Sequence, residues 1–250
     1  MKWLAYSKLA WTESIIVSPE ECVEETEYLA RLINDNSRIG VKTLLHLGCG
    51  AGGNDYTFKR HFKVTGVDTS EDMLEIARKR NPEAIYICGD MRNIKLKESF
   101  DAVVIPDNSI GYMTTVTDLR KVITTACRHI KPGGALLIAT LVGEDFKENN
   151  FVYAGYKGET QVTIFENNYA FENKPTTYEA TLVYLIRRRG NLQILTDRHK
   201  LGIFPLTTWL SLLAEAGLKV KHIKIEHSYD RFILGEGKYH LRVFACCKPL

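Results

Sequence analysis

The chain has 250 residues, 45% of them hydrophobic, which is enough to bury one large core in a single domain with an insertion. Its 33 lysines and arginines nearly balance its 30 aspartates and glutamates, so net charge gives no strong attraction to nucleic acid or to an anionic membrane. The six cysteines have no CxxC spacing, which argues against a zinc site and a disulfide framework. No segment has the roughly 18 uncharged apolar residues of a membrane span, and the N-terminus has no signal-peptide pattern. We therefore expect a cytoplasmic monomer or homodimer with no metal and no nucleic-acid or membrane partner.

Residues 1–40 are predicted to form an N-terminal helical cover. The motif Ser18-Pro19-Glu20-Glu21 is typical of a helix start, because serine caps well, proline suits the first helical position and acids suit the first turn. Apolar side chains then recur on one helix face. They are Val23, Tyr28, Leu29, Leu32 and Ile33.

Residues 41–142 alternate short apolar runs with amphipathic stretches, which is the pattern of right-handed βαβ units and a parallel sheet. Helices are predicted near 55–61, over 69–80 and over 116–130. A turn at Lys131-Pro132-Gly133-Gly134 is predicted before the last strand. The five predicted strands are TLLHL, VTGVD, AIYIC, FDAVVI and ALLIATLV.

The pattern changes in residues 143–204, where turn-punctuated alternation predicts an antiparallel insertion. Its predicted turns lie at Asn173-Lys174-Pro175 and Arg189-Gly190-Asn191. Residues 205–250 predict a helix with a glycine C-cap and two strands joined through Gly235-Glu236-Gly237, which complete the core sheet. The predicted strands of the insertion are QVTIFENNYAF, YEATLVYLIRR and LQILTDRHKLGIF.

A glycine-rich turn is the sharpest motif. The segment Leu47-Gly48-Cys49-Gly50-Ala51-Gly52-Gly53 follows the first strand and opens a helix, where glycine lets the backbone approach a ligand and the helix offers free N–H groups. Asp68 ends the second strand about twenty residues later, where a carboxylate can accept both hydroxyls of a ribose. Each feature also has a simpler explanation, a tight turn or a helix cap. Together they indicate a nucleoside ligand.

Two further loops follow the third and fourth strands. In Cys88-Gly89-Asp90-Met91 the aspartate can accept a hydrogen bond from an adenine amino group, and Met91 can stack on the ring. Residues 106–112 follow the fourth strand. Because ligands of open α/β sheets lie at the carboxyl ends of adjacent strands, we expect these loops to form one site.

These motifs, in this order and spacing, resemble the class I S-adenosylmethionine-dependent methyltransferase family. The resemblance implies an α/β fold with a doubly wound, seven-stranded, mostly parallel sheet in the order 3-2-1-4-5-7-6, in which strand seven is antiparallel. It also implies S-adenosyl-L-methionine as the cofactor. The inserted antiparallel β subdomain after strand five, with segments 108–112 and 198–204, resembles the small-molecule branch that includes the amino-sugar N-methyltransferases. We therefore expect methyl transfer to nitrogen or oxygen of a small-molecule acceptor, with residues 143–204 as the lid of the acceptor site.

The resemblance also implies cofactor contacts. Asp68 would bind the ribose, Asp90 and Met91 the adenine, and Asp107 would lie near the sulfonium. His46 departs from the family, which often has an acid two positions before the first glycine, so backbone carbonyls or Asp107 would hold the cofactor's ammonium group. The predicted cofactor-binding residues are Tyr6, Gly48, Cys49, Gly50, Asp68, Thr69, Met73, Asp90, Met91 and Asp107.

Methyl transfer from a sulfonium is an in-line displacement that demands alignment, water exclusion and an unprotonated nucleophile. His199 is the first candidate for a general base, because imidazole titrates near neutral pH, and Tyr112 is the second. Both could instead be structural, as a hydrogen-bonded strand residue and a packing residue. The predicted substrate-binding residues are Trp11, Asn108, Tyr178 and Arg198.

Four other functions stay open at this point. An RNA methyltransferase would require a basic stripe or an appended binding domain, and neither is obvious. A carboxyl O-methyltransferase would need no base. A cofactor-binding sensor without catalysis is conceivable because His46 replaces the acid. A nicotinamide-dependent oxidoreductase is disfavoured because the turn has GxGxGG rather than GxGxxG.

Overall fold

The computed structural model of the protein describes residues 3–173, 176–226 and 229–250. Its helices are α1 Glu13–Ile16, α2 Val23–Asn36, α3 Asp55–Phe58, α4 Glu71–Arg80, α5 Val116–His129 and α6 Leu206–Glu215. Its strands are β1 Thr43–Leu47, β2 Lys63–Asp68, β3 Ile85–Cys88, β4 Phe100–Ile105, β5 Ile130–Thr140, β6 Asn150–Lys157, β7 Thr160–Ala170, β8 Thr177–Arg188, β9 Asn191–Gly202, β10 Lys219–Ile225 and β11 Leu241–Cys247.

Seven strands form the core sheet, in the order β3-β2-β1-β4-β5-β11-β10. Neighbouring strands are parallel except at β11, which runs antiparallel to both β5 and β10. Because β10 and β11 are the sixth and seventh strands of this sheet in chain order, the predicted order 3-2-1-4-5-7-6 is confirmed. The parallel strands bring the carboxyl ends of β1 to β4 to one edge of the sheet.

Helices cover both faces of the core sheet. On one face α5 and α6 bury Val122 and Trp209, and on the other α2 and α3 bury Ile33 and Phe58. All six residues of the central strand β4 are buried, which explains why its sequence is apolar apart from Asp101.

The other four strands form a separate antiparallel sheet in the order β6-β7-β8-β9, which we call the insertion sheet. It lies between β5 and α6 in the chain, so the predicted antiparallel insertion is confirmed. Strand β6 was not predicted, because Gly155 interrupts its sequence and weakens the strand pattern. A glycine is needed there: a Cβ at residue 155 would lie 2.0 Å from the backbone oxygen of Ile15, so α1 packs directly on β6.

Two predicted element boundaries are wrong, one in the N-terminal cover and one in the core. Pro19–Cys22 forms a 3-10 turn, and α2 begins only at Val23, because the Ser18 side chain makes no capping hydrogen bond. The segment Lys131-Pro132-Gly133-Gly134 lies inside β5, where it is an irregularity in the pairing with β4 rather than a turn.

Part of one prediction cannot be compared with the fold. Lys174 and Pro175, in the turn predicted between β7 and β8, lie outside the described residues. None of the helices in the described part of the chain has the length and hydropathy needed to cross a membrane.

Asp101 connects the starts of β1 and β5 at one edge of the core sheet. This edge is opposite the carboxyl ends of β1 to β4. Its Oδ2 accepts hydrogen bonds from the backbone N–H groups of Lys42 and Thr43 and from the Thr43 hydroxyl, each at 2.9 Å, and its Oδ1 accepts from Lys131 Nζ at 2.8 Å. Burial alone raises the pKa of Asp101, but these bonds outweigh burial and bring the pKa to about 2. The ionised carboxylate therefore stabilises the folded sheet.

We expect Asp101→Asn to lower the free energy of unfolding by roughly 2 kcal/mol at pH 7, because one pKa unit corresponds to about 1.4 kcal/mol. A folded-state pKa below the unfolded value means that this contribution is complete above about pH 4 and is lost as the pH falls toward 2. Urea unfolding at pH 7 and pH 3 measures both effects. The exposed Asp35→Asn is the control, and equal stability of the two variants at pH 7 would contradict the prediction.

Candidate functional site

A cavity of about 1070 Å³ lies between the carboxyl ends of β1 to β4 and the inner face of the insertion sheet. This is the position at which open α/β sheets bind ligands. Every predicted cofactor-binding residue lines the cavity, and so do His199, Tyr112, Asn108 and Tyr178.

The loop after β1 forms the tightest part of the cavity wall. Gly48 and Gly50 both have positive φ, 75° and 52°. A Cβ on Gly48 would lie 2.8 Å from Ser109 Cβ and 2.9 Å from Met91 Cε. Bare backbone at Gly48 therefore lets the loops after β1, β3 and β4 meet.

Asp68 is fixed by two backbone donors. Its Oδ2 accepts from the Gly50 N–H and its Oδ1 from the Ser70 N–H, each at 2.9 Å. Asp68 does not cap the next helix: Ser70 is the N-cap, and its hydroxyl oxygen accepts from the Met73 N–H at 3.2 Å. The Asp68 carboxylate, part-exposed on the cavity wall, keeps lone pairs for a ligand.

Asp90 forms an ion pair with Arg92, whose guanidinium donates to both carboxylate oxygens. The hydrogen bonds from Arg92 hold the pKa of Asp90 below its usual value. Both residues line the cavity. The pair positions the Asp90 carboxylate, and its remaining lone pairs are able to accept a further N–H.

His46 is buried and pairs with a carboxylate that the sequence did not indicate. Its Nδ1 lies 2.6 Å from Asp55 Oδ1, and Tyr86 donates its hydroxyl proton to Asp55 Oδ2 at 2.9 Å. Burial lowers the pKa of His46, but the charge and hydrogen bond of Asp55 outweigh burial and raise it overall. The position at which the family often has an acid is thus occupied by His46, which pairs with Asp55 at the start of α3.

The loop after β4 is strained and tied down. Asp107 and Asn108 both adopt left-handed conformations, with φ of 53° and 56°. Asp107 accepts hydrogen bonds from Asn54 Nδ2 and, at 3.2 Å, from the Tyr229 hydroxyl, and burial raises its pKa. The carboxylate thereby faces the cavity between two neutral donors.

Asn108 connects the loop to both sheets. Its Oδ1 accepts from the Thr140 hydroxyl at 2.8 Å and from the Leu141 N–H at 3.1 Å, and its Nδ2 donates to the Tyr178 hydroxyl at 3.1 Å. Asn108 therefore holds the insertion sheet against the core sheet and orients Tyr178.

Four side chains form a continuous hydrogen-bonded chain along the cavity. The hydroxyls of Tyr6 and Tyr112 lie 2.6 Å apart, Tyr112 lies 2.7 Å from His199 Nδ1, and His199 Nε2 lies 2.9 Å from Asp197 Oδ2. Burial lowers the pKa of His199, although Asp197 opposes this, and burial raises the pKa values of both tyrosines. The structure thus brings both predicted catalytic residues together, and both nitrogens of His199 have partners. We call this series the Tyr6–Asp197 chain.

The N-terminal segment closes over this chain. Asp197 Oδ2 accepts from the Ala5 N–H at 2.8 Å, and the Ser70 hydroxyl donates to the Tyr6 carbonyl oxygen. The Trp3 ring lies 4.8 Å from the Tyr112 ring and 5.3 Å from the His199 ring, centroid to centroid.

Trp11 and Arg198 do not line the cavity. Trp11 packs under the Arg188 guanidinium, which lies 5.4 Å from the ring centroid. Arg198 is exposed, because side chains alternate along a strand and its neighbour His199 points inward. Trp3 takes the place in the cavity that we predicted for Trp11.

Besides Trp3 and the hydrogen-bond donors Asn54, Tyr86, Arg92 and Tyr229, sequence reasoning missed five residues that contribute to the site. One signal was available, because Asp197 lies two residues before His199 and must share its face of the strand. Asp55 and Ser70 gave no motif, and Glu13 and Glu166 looked like ordinary surface acids. The missed residues are Glu13, Asp55, Ser70, Glu166 and Asp197.

Known proteins match both the sequence and the fold. A family model described as a methyltransferase domain matches residues 44–134. A dTDP-4-amino-2,3,4,6-tetradeoxy-D-glucose N,N-dimethyltransferase from Saccharopolyspora spinosa is 29% identical over 185 residues, 73% of this chain and 73% of that protein. A dTDP-3-amino-3,4,6-trideoxy-alpha-D-glucopyranose N,N-dimethyltransferase from Streptomyces venezuelae is 28% identical over 73% of this chain and 77% of that protein. The structure of CalS10, an amino pentose methyltransferase from Micromonospora echinaspora with S-adenosylmethionine bound, shares the fold with a TM-score of 0.74 at 21% identity, over 90% of this chain and 91% of that chain.

The strand order and the cavity at the loops after β1 to β4 are those of the class I S-adenosylmethionine-dependent methyltransferase fold, and residues 44–134 match a methyltransferase domain. The protein is an enzyme that uses S-adenosyl-L-methionine as its cofactor and a small molecule as its methyl acceptor. The predicted resemblance to the branch that includes the amino-sugar N-methyltransferases is confirmed.

We expect Gly48→Ala to destabilise the protein by about 2 to 4 kcal/mol, because the new methyl group adds a steric clash to a left-handed backbone. Gly158→Ala is the matched control, since Gly158 also has positive φ, 57°, but no atom lies within 4 Å of the place that its new methyl group would take. Strain alone should cost the control about 1 kcal/mol. Urea unfolding measures both, and equal losses would show that close packing of the loops is not what requires Gly48.

Proposed function

We propose that this methyltransferase acts on an amino nitrogen of a small molecule, and that the acceptor is an amino sugar or a close analogue. The relatives described above are named for N,N-dimethylation of amino sugars. The observation that supports nitrogen in this chain is the Tyr6–Asp197 chain, because a protonated amine must lose a proton before it can attack a methyl group.

The cofactor end of the cavity suits S-adenosylmethionine. Bare backbone at Gly48 and Gly50 would hold the methionine part, and Asp68, fixed by two N–H groups, would accept the ribose hydroxyls. Asp90 would accept from the adenine amino group while Arg92 holds it in place. The bound cofactor supplies an electrophilic methyl group on its sulfonium.

Apolar and polar residues complete the proposed cofactor site. Met73 and Met91 would pack against the nucleoside, and Asp107 would accept from the ammonium group in place of the usual acid. Cys49 and Thr69 would contribute mainly backbone contacts. Tyr6 would close the site from the N-terminal segment.

The Tyr6–Asp197 chain gives a direction for proton transfer. Because a carboxylate only accepts, His199 Nε2–H would donate to Asp197, Nδ1 would accept from the Tyr112 hydroxyl, and the Tyr112 oxygen would accept from Tyr6. A proton taken from the acceptor amine by the Tyr6 oxygen would shift along the tyrosines to His199 Nδ1. The resulting imidazolium would be stabilised by Asp197. His199 thus acts as a base through the tyrosines rather than by touching the acceptor.

The acceptor end would be formed by the insertion sheet and the N-terminal cover, residues 143–204 and 1–40. Asn108 and Tyr178 would position the acceptor at the junction of the two sheets. Closure by these two segments would exclude water, as methyl transfer requires.

Location and assembly stay predictions. All six cysteines are free, which agrees with a reducing cytoplasm. We expect a monomer or a homodimer.

Calorimetric titration with S-adenosylmethionine and S-adenosylhomocysteine tests the cofactor assignment. We expect both to bind, NADH not to bind, and Asp68→Ala to weaken binding by roughly tenfold or more, because a charge-assisted hydrogen bond is lost. The exposed Glu75→Ala on α4 is the control. Failure of the wild-type protein to bind either sulfur ligand would refute the methyltransferase assignment.

Tyr112→Phe and His199→Gln test the proton path. Each should lower kcat on an amine acceptor by about a hundredfold while leaving the affinity for S-adenosylhomocysteine unchanged. Because the pKa of His199 is lowered and only neutral imidazole accepts a proton, wild-type kcat should fall as pH drops below the ordinary histidine value, and His199→Gln should lack that step. Exposed His61→Gln is the control. Wild-type kcat in either variant would count against the path.

A further inference from the structure

The inner face of the insertion sheet forms the acceptor half of the cavity. Strand pairing places Glu166 of β7 directly opposite Phe151 of β6 and Leu182 of β8, and all three line the cavity. Side-chain alternation turns Phe165 and Asn167 to the other face, where both are exposed. Glu166 is therefore an acid on the inner face rather than a solvated surface residue.

Glu166 has only neutral partners among the described residues. Tyr153 donates its hydroxyl proton to Oε2 at 3.0 Å, and Asn168 Nδ2 donates to Oε1 at 3.0 Å. Burial raises the pKa of Glu166, and these two donors alone oppose that rise. A half-buried carboxylate without a cation partner is unfavourable, which makes the site attractive to a cation from outside.

As far as the structure describes it, the insertion sheet contributes an acidic group and no basic lysine or arginine to the cavity around Glu166. Among the described insertion-sheet residues that line the cavity, Glu166 is the only carboxyl group, and burial lowers the pKa of His199. Glu13 of α1 also lines the cavity and is a second carboxyl whose pKa burial raises. The described part of the insertion sheet thus contributes a carboxyl group, and no arginine or lysine, to the acceptor half.

Aromatic rings surround the same space. Tyr153, Tyr178, Tyr184 and Tyr239 line the cavity, and the charge of Glu166 contributes to the raised pKa of each. All four therefore lie within the field of this carboxylate. Tyrosine rings attract cations through their negative faces and give an apolar wall to a carbon ring.

We propose that Glu166 and the surrounding tyrosines form a subsite that binds a positively charged amino group of the methyl acceptor. The inference rests on the proposed function and deepens it: it assigns the acceptor a cationic amine on a ring-sized body and identifies Glu166 as the residue that selects it. It concerns binding alone and adds no proton-transfer step. A neutral molecule of the same shape would leave the carboxylate unpaired and bind more weakly.

Two small probes test the subsite: cyclohexylamine, which is an ammonium ion at neutral pH, and cyclohexanol, which has the same shape without the charge. Dissociation constants are measured by NMR titration with saturating S-adenosylhomocysteine. Wild-type protein should bind the amine at least about tenfold more tightly than the alcohol. Glu166→Gln should remove this preference, and Glu166→Asp should keep much of it.

The matched control is Glu179→Gln. Glu179 lies next to Tyr178 on β8 and faces the opposite side of the same sheet, so this variant removes an equal charge and should keep the preference. Equal affinity of wild-type protein for the two probes, or absence of binding by both, overturns the proposal even if Glu166→Gln fails to fold. Binding of S-adenosylhomocysteine distinguishes failure of the proposed function from failure of the subsite. If wild-type protein does not bind S-adenosylhomocysteine, the proposed function is wrong. If it binds S-adenosylhomocysteine but does not prefer the amine, only the subsite is wrong.

Discussion

The site depends on one close approach, that of the backbone at Gly48 to the loops after β3 and β4. A Cβ at residue 48 would lie within 3 Å of both Ser109 and Met91, so a side chain there would have to displace its neighbours. The approach is possible because β1 lies at the centre of a parallel sheet, so that neighbouring strands deliver their loops to the same edge. Asp68 then bonds to the Gly50 N–H and joins the second strand to the same wall. A single cavity with fixed polar groups follows from these contacts.

The cofactor half could be predicted from the sequence because its signals are local. A glycine loop after an apolar strand and an acid at the end of the next strand each lie within a few residues of the element that positions them. Parallel topology then brings them together without further information. Gly48, Asp68 and Asp90 were found in this way. His46 was recognised as a departure, but its partner Asp55 was not, because nothing in the sequence pairs a strand residue with the start of α3.

The acceptor half could not be predicted to the same depth because it depends on contacts between distant parts of the chain. The Ala5 N–H donates to Asp197, which lies 192 residues later, and Trp3, close to Ala5, lines the cavity whereas Trp11 does not. The hydrophobic periodicity within a helix or strand does not show which distant residues it will contact. The position of Glu166 on the cavity wall likewise depends on the registers of β6, β7 and β8 together, and β6 was not predicted because of Gly155. Alternation along β9 places Arg198 and His199 on opposite faces, and the prediction of Arg198 as a substrate contact did not take this into account.

Gly155 has no side chain, and this affects how acceptor specificity could be transferred from one related enzyme to another. Because α1 packs directly on the backbone of β6, the N-terminal segment and the insertion sheet are in close contact, and a change in one affects the position of the other. A graft of residues 143–204 alone from a relative would introduce a side chain at this contact wherever the relative lacks a glycine, and would lift the N-terminal segment from the cavity. We therefore expect that a functional chimera has to transfer both segments, although they lie far apart in the gene.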